Sequence, residues 1–357
     1  MTAGHGTRLL YAAQDFPVFQ NRMYPTPEAA RACPTGNLRL VEDLGTGLVY
    51  NAAFRPELMQ YDAHYQNEQA VSPLFQDHLE AVASIIASTL GYTGIVEVGC
   101  GKAYFLELLV AKGFDVTGFD PAYEGTNPRV VKHYFQRGQG IDAKGLVLRH
   151  VLEHIQDPLA FLLALKEANG GGGQIYIEVP SFDWICEHRA WFDVFYEHAN
   201  YFRLSDFRRM FGRIDACGTL FGDQYLYIVA DLASLRPPEF DPADRVDFPP
   251  DFTRNLISQA QSPEPRAQTA VWGGASKGVI FALLRDRIGA PVSIVIDVNP
   301  AKQGQYLPGT GLRVHSPTEA LPQLPVGATI FVMNSNYLDE IKHMSNNAYC
   351  YVGVDHD

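Results

Sequence analysis

Nowhere in its 357 residues does the chain pair two cysteines as Cys-x-x-Cys; the five it has, Cys33, Cys100, Cys186, Cys217 and Cys350, are scattered and odd in number. That usage excludes a disulfide framework and fits a reducing cytoplasm. No stretch reaches the roughly eighteen apolar residues of a membrane span, and no basic region followed by an apolar run opens the chain, so a soluble protein without a membrane partner is expected. Positive charge is also short: 28 Lys and Arg face 40 Asp and Glu, a formal net charge of -12. Such a chain repels a phosphate backbone, and no Lys/Arg cluster interleaved with aromatics offsets the repulsion, which argues against a nucleic-acid partner.

What is present is apolar material, 46% of residues, enough for two or three packed domains. The most informative run is Ile95-Val96-Glu97-Val98-Gly99-Cys100-Gly101-Lys102-Ala103-Tyr104. A β-branched strand there breaks into a Gly-x-Gly turn where a helix, predicted over 105–112, takes over. Glycines in such a turn let the backbone approach a ligand, and the helix start offers free N–H donors. A second strand, 115–119, ends on Asp120, at the spacing where an acid takes the hydroxyls of a ribose. The turn lacks the third glycine that a pyrophosphate wants and carries an acid, Glu97, at the strand end. S-adenosylmethionine, with no phosphate, an ammonium group and a sulfonium, suits it better.

Further on stand His150-Val151-Leu152-Glu153-His154-Ile155-Gln156-Asp157-Pro158, a helix, and Gly171-Gly172-Gly173-Gln174-Ile175-Tyr176-Ile177-Glu178-Val179-Pro180. With Gly118-Phe119-Asp120-Pro121, this order resembles the class I S-adenosylmethionine-dependent methyltransferases. The resemblance implies a doubly wound α/β domain whose cofactor-binding residues are Glu97, Gly99, Gly101, Tyr104, Asp120, Pro121, His150 and Val151. The strand-four end lacks the Asn/Asp-Pro-Pro-Tyr run of the amino-methyltransferases of nucleic-acid bases.

Residues 1–70 read as a small irregular module with short β-like pieces at 38–41 and 48–50, and Tyr61-Asp62-Ala63-His64-Tyr65-Gln66-Asn67-Glu68-Gln69 is either a surface turn or a flap over the cofactor. Apolar residues at helical spacing over 73–90 lead into the cofactor domain, 71–231, which closes with a strand at 224–229. Five prolines between 237 and 250, with acids among them, mark 232–267 as a linker with a short helix at 252–261. The last domain, 268–357, repeats a strand-turn-helix-strand unit: Thr269 to Trp272, then Gly273-Gly274-Ala275-Ser276-Lys277-Gly278, a helix over 279–286, and a strand at 292–296 ending on Asp297. Its glycine turn suits a nicotinamide cofactor, a plain packing turn, or a diphosphate cradle in which Gly273, Gly274, Ser276, Lys277 and Gly278 bind the acceptor.

After strand five, Trp191-Phe192-Asp193-Val194-Phe195-Tyr196-Glu197-His198-Ala199-Asn200-Tyr201-Phe202 is dense in aromatic and titratable groups, as a packing segment or as a catalytic one. A carbon beside a ketone, or a hydroxyl, must lose a proton before it is methylated, and a histidine is suited to remove it at neutral pH. His198 is the expected base, Glu197 its orienting partner or substitute, and Tyr196 a hydrogen-bond donor to a developing enolate.

Taken in order, these parts resemble the sugar C-methyltransferase family, and the segments Trp272 to Gly278 and Ile296 to Thr310 carry the most specific likeness. The resemblance implies a zinc-binding N-terminal module, a central cofactor domain, a C-terminal Rossmann-like domain, and a nucleotide-linked keto-deoxysugar as acceptor. Two departures matter. The place of a second cysteine pair, 42–48, holds no cysteine, and Cys33 alone cannot bind a tetrahedral zinc, so no metal is expected. The family's Tyr-His-Glu-His run is Phe195-Tyr196-Glu197-His198 here, so Glu197 and His198 carry over while carbon, oxygen or nitrogen methylation stays open. A non-catalytic protein that kept the cofactor fold is the rival from another class.

Overall fold

A computed structural model describes residues 6–59, 72–138, 142–258 and 268–355. The segment Tyr61 to Gln69, flap or turn, lies outside the described residues.

Three sheets organise the chain. The N-terminal sheet is antiparallel, in the order β1 (Thr7–Pro17), β2 (Thr35–Asp43), β3 (Val49–Asn51) and β9 (Asn200–Tyr201). Sequence alternation missed β1 because bulges between Leu9 and Tyr11 and between Ala13 and Phe16 break its two-residue period. A short helix, α1 (Pro27–Arg31), joins β1 to β2, with Thr26 capping it by accepting from the Ala29 amide. The turn at 42–48, which holds no cysteine, is closed by Asp43, whose Oδ1 accepts from the amides of Gly45 and Thr46, both at 2.8 Å.

The central sheet contains β4 (Ile95–Val98), β5 (Val116–Phe119), β6 (Val130–Val131), β7 (Gly145–Arg149), β8 (Gln174–Pro180), β10 (Ile214–Leu220) and β11 (Tyr225–Asp231), in the order β10-β11-β8-β7-β4-β5-β6. Its strands are parallel except β11, which runs against both neighbours. The order turns back on itself at β4 and β7, which makes their carboxyl ends the place for a ligand. Helices α2 (Pro73–Thr89), α3 (Tyr104–Ala111) and α4 (Pro158–Ala168) accompany the sheet. Phe75, Leu79, Val82 and Ile86 form the buried stripe of α2, as the spacing predicts. Two short helices, α5 (Phe182–Glu187) and α6 (Leu204–Met210), flank the segment that carries the expected base.

In the C-terminal part, β12 (Thr269–Trp272), β13 (Ile294–Ile296), β14 (Val314–His315), β15 (Thr329–Val332) and β16 (Cys350–Gly353) form a parallel sheet ordered β14-β13-β12-β15-β16. The proline-rich stretch before it includes α7 (Arg254–Ser258); after β12 come α8 (Lys277–Arg287), α9 (Pro317–Ala320) and α10 (Leu338–Met344). The strand orders give the two doubly wound halves expected from the sequence.

The proline-rich linker is packed against the rest of the chain. Val246, Phe252 and Leu256 are buried in a cluster that also takes in Phe16 and Leu38 of the first sheet, Trp191 and Phe192, and Phe281 of α8. The Val246 amide donates to the buried Glu42 carboxylate at 2.8 Å, and Arg203 donates to the Asp244 carbonyl at 2.9 Å. Among the described residues no helix is long and apolar enough to cross a membrane.

Candidate active site

At the end of β4 the backbone goes left-handed at Gly99 (φ 76°), Gly101 (φ 52°) and Ala103 (φ 65°), the last capping α3. Gly99 also permits close packing: a Cβ there would stand 2.5 Å from Val151 Cγ2. Asp120, at the end of β5, reaches back to this turn, its Oδ2 accepting from the Gly101 amide and its Oδ1 from the Ala122 amide, both at 2.8 Å. Pro121 follows on the exposed turn, and Tyr104, 40% exposed, stands at the first position of α3. Glu97 is buried, and its Oε2 has no hydrogen-bond partner among the described residues. Burial raises its carboxyl to about 7; Arg149 works against that and Asp120 adds to it. An orphaned buried acid beside a glycine turn is a site that wants a donor, and a ribose hydroxyl or an ammonium group fits it.

His150 and Val151 follow β7. His150 adopts φ 50°, and its ring lies between Glu153 (Nδ1 to Oε1 3.4 Å) and Glu178 (Nε2 to Oε1 3.2 Å). Burial disfavours the cation, but these two carboxylates raise His150 to about 9. Glu178 is the hub of a buried network that sequence reasoning missed. It accepts from Arg149 Nε at 3.0 Å and Tyr176 Oη at 2.9 Å and meets His78 Nε2 at 2.8 Å. Burial alone would raise its carboxyl, yet Arg149, His150 and His78 hold it well below the usual range. His150, Tyr176 and Glu178 stand in the quoted motif runs, but nothing local shows that they meet one another and His78, because α2, β7 and β8 bring them together from positions far apart in sequence.

A cavity of about 260 Å³, a little below the usual range of small-ligand sites, opens between the carboxyl ends of the parallel strands of the central and C-terminal sheets. From the central sheet come His150, Glu153, His154 and Pro180; Gly273, Asp297 and Met333 come from the other. Of the three expected catalytic residues, His198 and Glu197 line it and Tyr196 does not. Tyr196 is fully buried elsewhere, its hydroxyl accepting from the Arg55 amide at 2.8 Å and its ring stacked on Phe54, which moves it out of any enolate-binding role. The Glu197 carboxylate accepts from the backbone amides of Gln20 at 2.5 Å and Asn21 at 3.3 Å, which fastens the N-terminal module to this segment. His198 is buried against Phe195 and His154, at ring distances of 4.2 and 4.9 Å. Burial, then the neighbouring His154 and His150, hold it well below the usual histidine range, so its imidazole is neutral.

The expected phosphate cradle is built differently. The Gly274 amide donates to Asp297 Oδ2 at 2.8 Å, the Ser276 amide to the Gln20 carbonyl and the Gly278 amide to the Ala275 carbonyl. Lys277 pairs with Asp193 at 3.0 Å, donates to Gln224 Oε1 at 2.9 Å and lies over the Trp184 ring. Gly278 serves packing, since a Cβ there would stand 1.7 Å from the Gly273 carbonyl oxygen. Gly273, Ser276 and Lys277 do line the cavity. Its walls carry five carboxylates, those of Glu153, Asp193, Glu197, Asp297 and Glu340, against two lysines, Lys277 and Lys302. Each lysine is paired with an acid, so the walls suit neutral oxygens better than a bare diphosphate.

Residues 59–216, a little under half of the chain, match a family model described as a methyltransferase domain. The chain therefore carries a methyltransferase domain, a kind of domain that uses S-adenosylmethionine. No curated protein sequence matches it. Among solved structures, a protein of Nostoc punctiforme PCC 73102 assigned as an O-methyltransferase is similar at 17% identity and a TM-score of 0.35, over 46% of this chain and 58% of that one. The magnesium protoporphyrin IX methyltransferase of Synechocystis PCC 6803, with bound S-adenosylhomocysteine, is similar at 15% identity and 0.34, over 44% and 82%. The 1,6-didemethyltoxoflavin-N1-methyltransferase of Burkholderia thailandensis stands at 17% and 0.32, over 44% and 80%. This chain thus spans well under two thirds of the Nostoc protein. At TM-scores this low none of the three decides the fold; the strand order does.

Proposed function

We propose that the chain transfers a methyl group from S-adenosylmethionine to a small polar metabolite seated in the cavity between the central and C-terminal sheets. The donor supplies a methyl group on a sulfonium, and its transfer is an in-line displacement that needs alignment and a lone pair on the acceptor. Glu97, Gly99, Gly101, Tyr104, Asp120 and Pro121 hold the donor, with His150 and Val151 between it and the cavity. At the acceptor end His198 supplies the neutral imidazole lone pair on which activation of the acceptor turns. The observation that carries this reading is the cavity's place, at the carboxyl ends of β7 and β8 and facing those of β12, β13 and β15.

The acceptor class we propose is a sugar, methylated at carbon beside a ketone or at oxygen, since neutral hydroxyls match the carboxylate-rich walls. The nucleotide-linked form implied by the family resemblance requires Asp193 to yield Lys277 to a phosphate. The five unpaired cysteines support a cytoplasmic setting. The test is turnover of a panel of free and nucleotide-linked keto sugars with labelled donor, followed by product analysis. His198→Asn is expected to lower kcat by about two to four orders of magnitude with donor affinity intact. Near-normal turnover in that variant would overturn the assignment of His198, and transfer to none of the sugars would overturn the acceptor class.

A further inference from the structure

Three side chains on the cavity wall are left with unused metal-binding capacity. Glu153, His154 and His198 each offer one ligand atom, and these atoms all lie within 4.8 Å of one another. Some point is then no farther than about 2.8 Å from all three, so shifts of about 0.7 Å would give ligand bonds of about 2.1 Å. Glu153 is 2% exposed and His198 6% exposed. Glu153 Oε2 and His198 Nδ1 are buried without a hydrogen-bond partner among the described residues, a costly state for polar atoms that nothing satisfies. The neighbours of the cluster set its orientation. His150 holds Glu153 by Oε1 and leaves Oε2. His154 Nδ1 lies 2.9 Å from the Glu197 carbonyl, which only accepts, so Nδ1 carries the proton and Nε2 keeps its lone pair.

We propose that Glu153, His154 and His198 bind one divalent first-row cation of the zinc, cobalt or manganese kind. Two imidazoles and one carboxylate favour that class over magnesium or calcium, and three protein ligands leave positions open for an acceptor oxygen. The expectation of no metal was framed on the cysteines of the first module; this cluster arises instead where the 150–158 motif meets the 191–202 segment. The site's role, though not its existence, rests on the cavity being the acceptor site. There the cation acts as a Lewis acid either on an acceptor hydroxyl, whose proton then leaves to water more readily, or on a ketone oxygen, which lets the proton on the adjacent carbon leave to water and its electron pair form the enolate. The new bond joins the acceptor's oxygen or carbon to the methyl, the S–CH3 bond breaks, and its electron pair stays on sulfur.

The test uses the full chain, purified without chelator, stripped with EDTA, dialysed, and titrated with Co2+ by visible absorption and with Zn2+ by calorimetry. One equivalent should bind, and Glu153→Gln, His154→Ala and His198→Ala should each weaken binding by about 100-fold, with circular dichroism confirming that a variant is folded. Absence of saturable binding up to about 1 mM cation, or unchanged affinity in the folded variants, overturns the site. Full-rate methyl transfer by stripped protein in excess chelator overturns the Lewis-acid role and leaves the methyltransferase reading standing. Specific cation binding by a protein without donor affinity would instead support the site and overturn the methyltransferase reading.

Discussion

Replacing Asp120 by alanine is the most direct probe of the cofactor face. Its carboxylate stands at the end of β5 with each oxygen already accepting one backbone amide, Gly101 on Oδ2 and Ala122 on Oδ1. Each oxygen still has lone-pair capacity to accept from a ribose hydroxyl. Hydrogen bonds to a charged group contribute about 1.5 to 3 kcal/mol each. Because this carboxylate is only partly buried, the expected loss of donor affinity for the whole side chain is about 1.5 to 3 kcal/mol, roughly 10- to 150-fold in Kd. Asp120→Asn should recover little of it: one of its two terminal atoms becomes an NH2 facing a backbone N–H. Titration calorimetry with S-adenosylmethionine and S-adenosylhomocysteine reads the effect. Both ligands carry the ribose, so both should weaken equally. Unchanged affinity would refute the placement, and weakening of the sulfonium ligand alone would move Asp120 to the charge rather than the sugar.

Glu97 predicts a pH dependence. Its carboxyl, raised to about 7 by burial, binds its proton more tightly folded than unfolded, so its contribution to stability is full below about 4.5 and is lost as pH rises toward 7. Glu97→Gln should therefore be the more stable protein at pH 8, by on the order of 2 kcal/mol, with the difference closing below pH 5 in urea melts; an equal difference at both pH values would contradict the cause. The donor wants the ionised acid, so its affinity should rise between pH 6 and 8 in the wild type and stay flat in Glu97→Gln, as calorimetry would show. Gly278→Ala forces α8, eight of whose residues are buried, away from β12 by more than an ångström, and should cost about 3 kcal/mol or more in chemical denaturation; a loss under about 1 kcal/mol would mean the turn yields freely.

Much of the fold was legible because its signals are local. The strand at 95–98, the glycine turn and the acid at 120 are set by β-branching, by left-handed backbone positions and by one fixed spacing, and the structure has them there. The unit from Thr269 to Asp297 reads the same way, down to an acid accepting from the glycine turn. Signals weaken where structure depends on partners. β1 hid behind its bulges, and the prolines of 237–250 marked a linker without showing that Val246 and Phe252 enter a core shared with both ends of the chain.

The site divides along the same line. Which residue types stand at the proposed donor site was determined by the sequence: acids after two strands, glycines between them, a histidine-rich motif after a third. What each side chain of the 191–202 segment does was decided only by tertiary structure. Consecutive residues outside regular strands point in unrelated directions, so Tyr196 turns to Arg55, the Glu197 carboxylate to the amides of Gln20 and Asn21, and the His198 ring to His154 and Glu153 in the cavity. Lys277 makes the same case. Its place at a helix start was plain in the sequence, while the charge it meets, Asp193, comes from another sheet's connection and is known only once the two halves face each other.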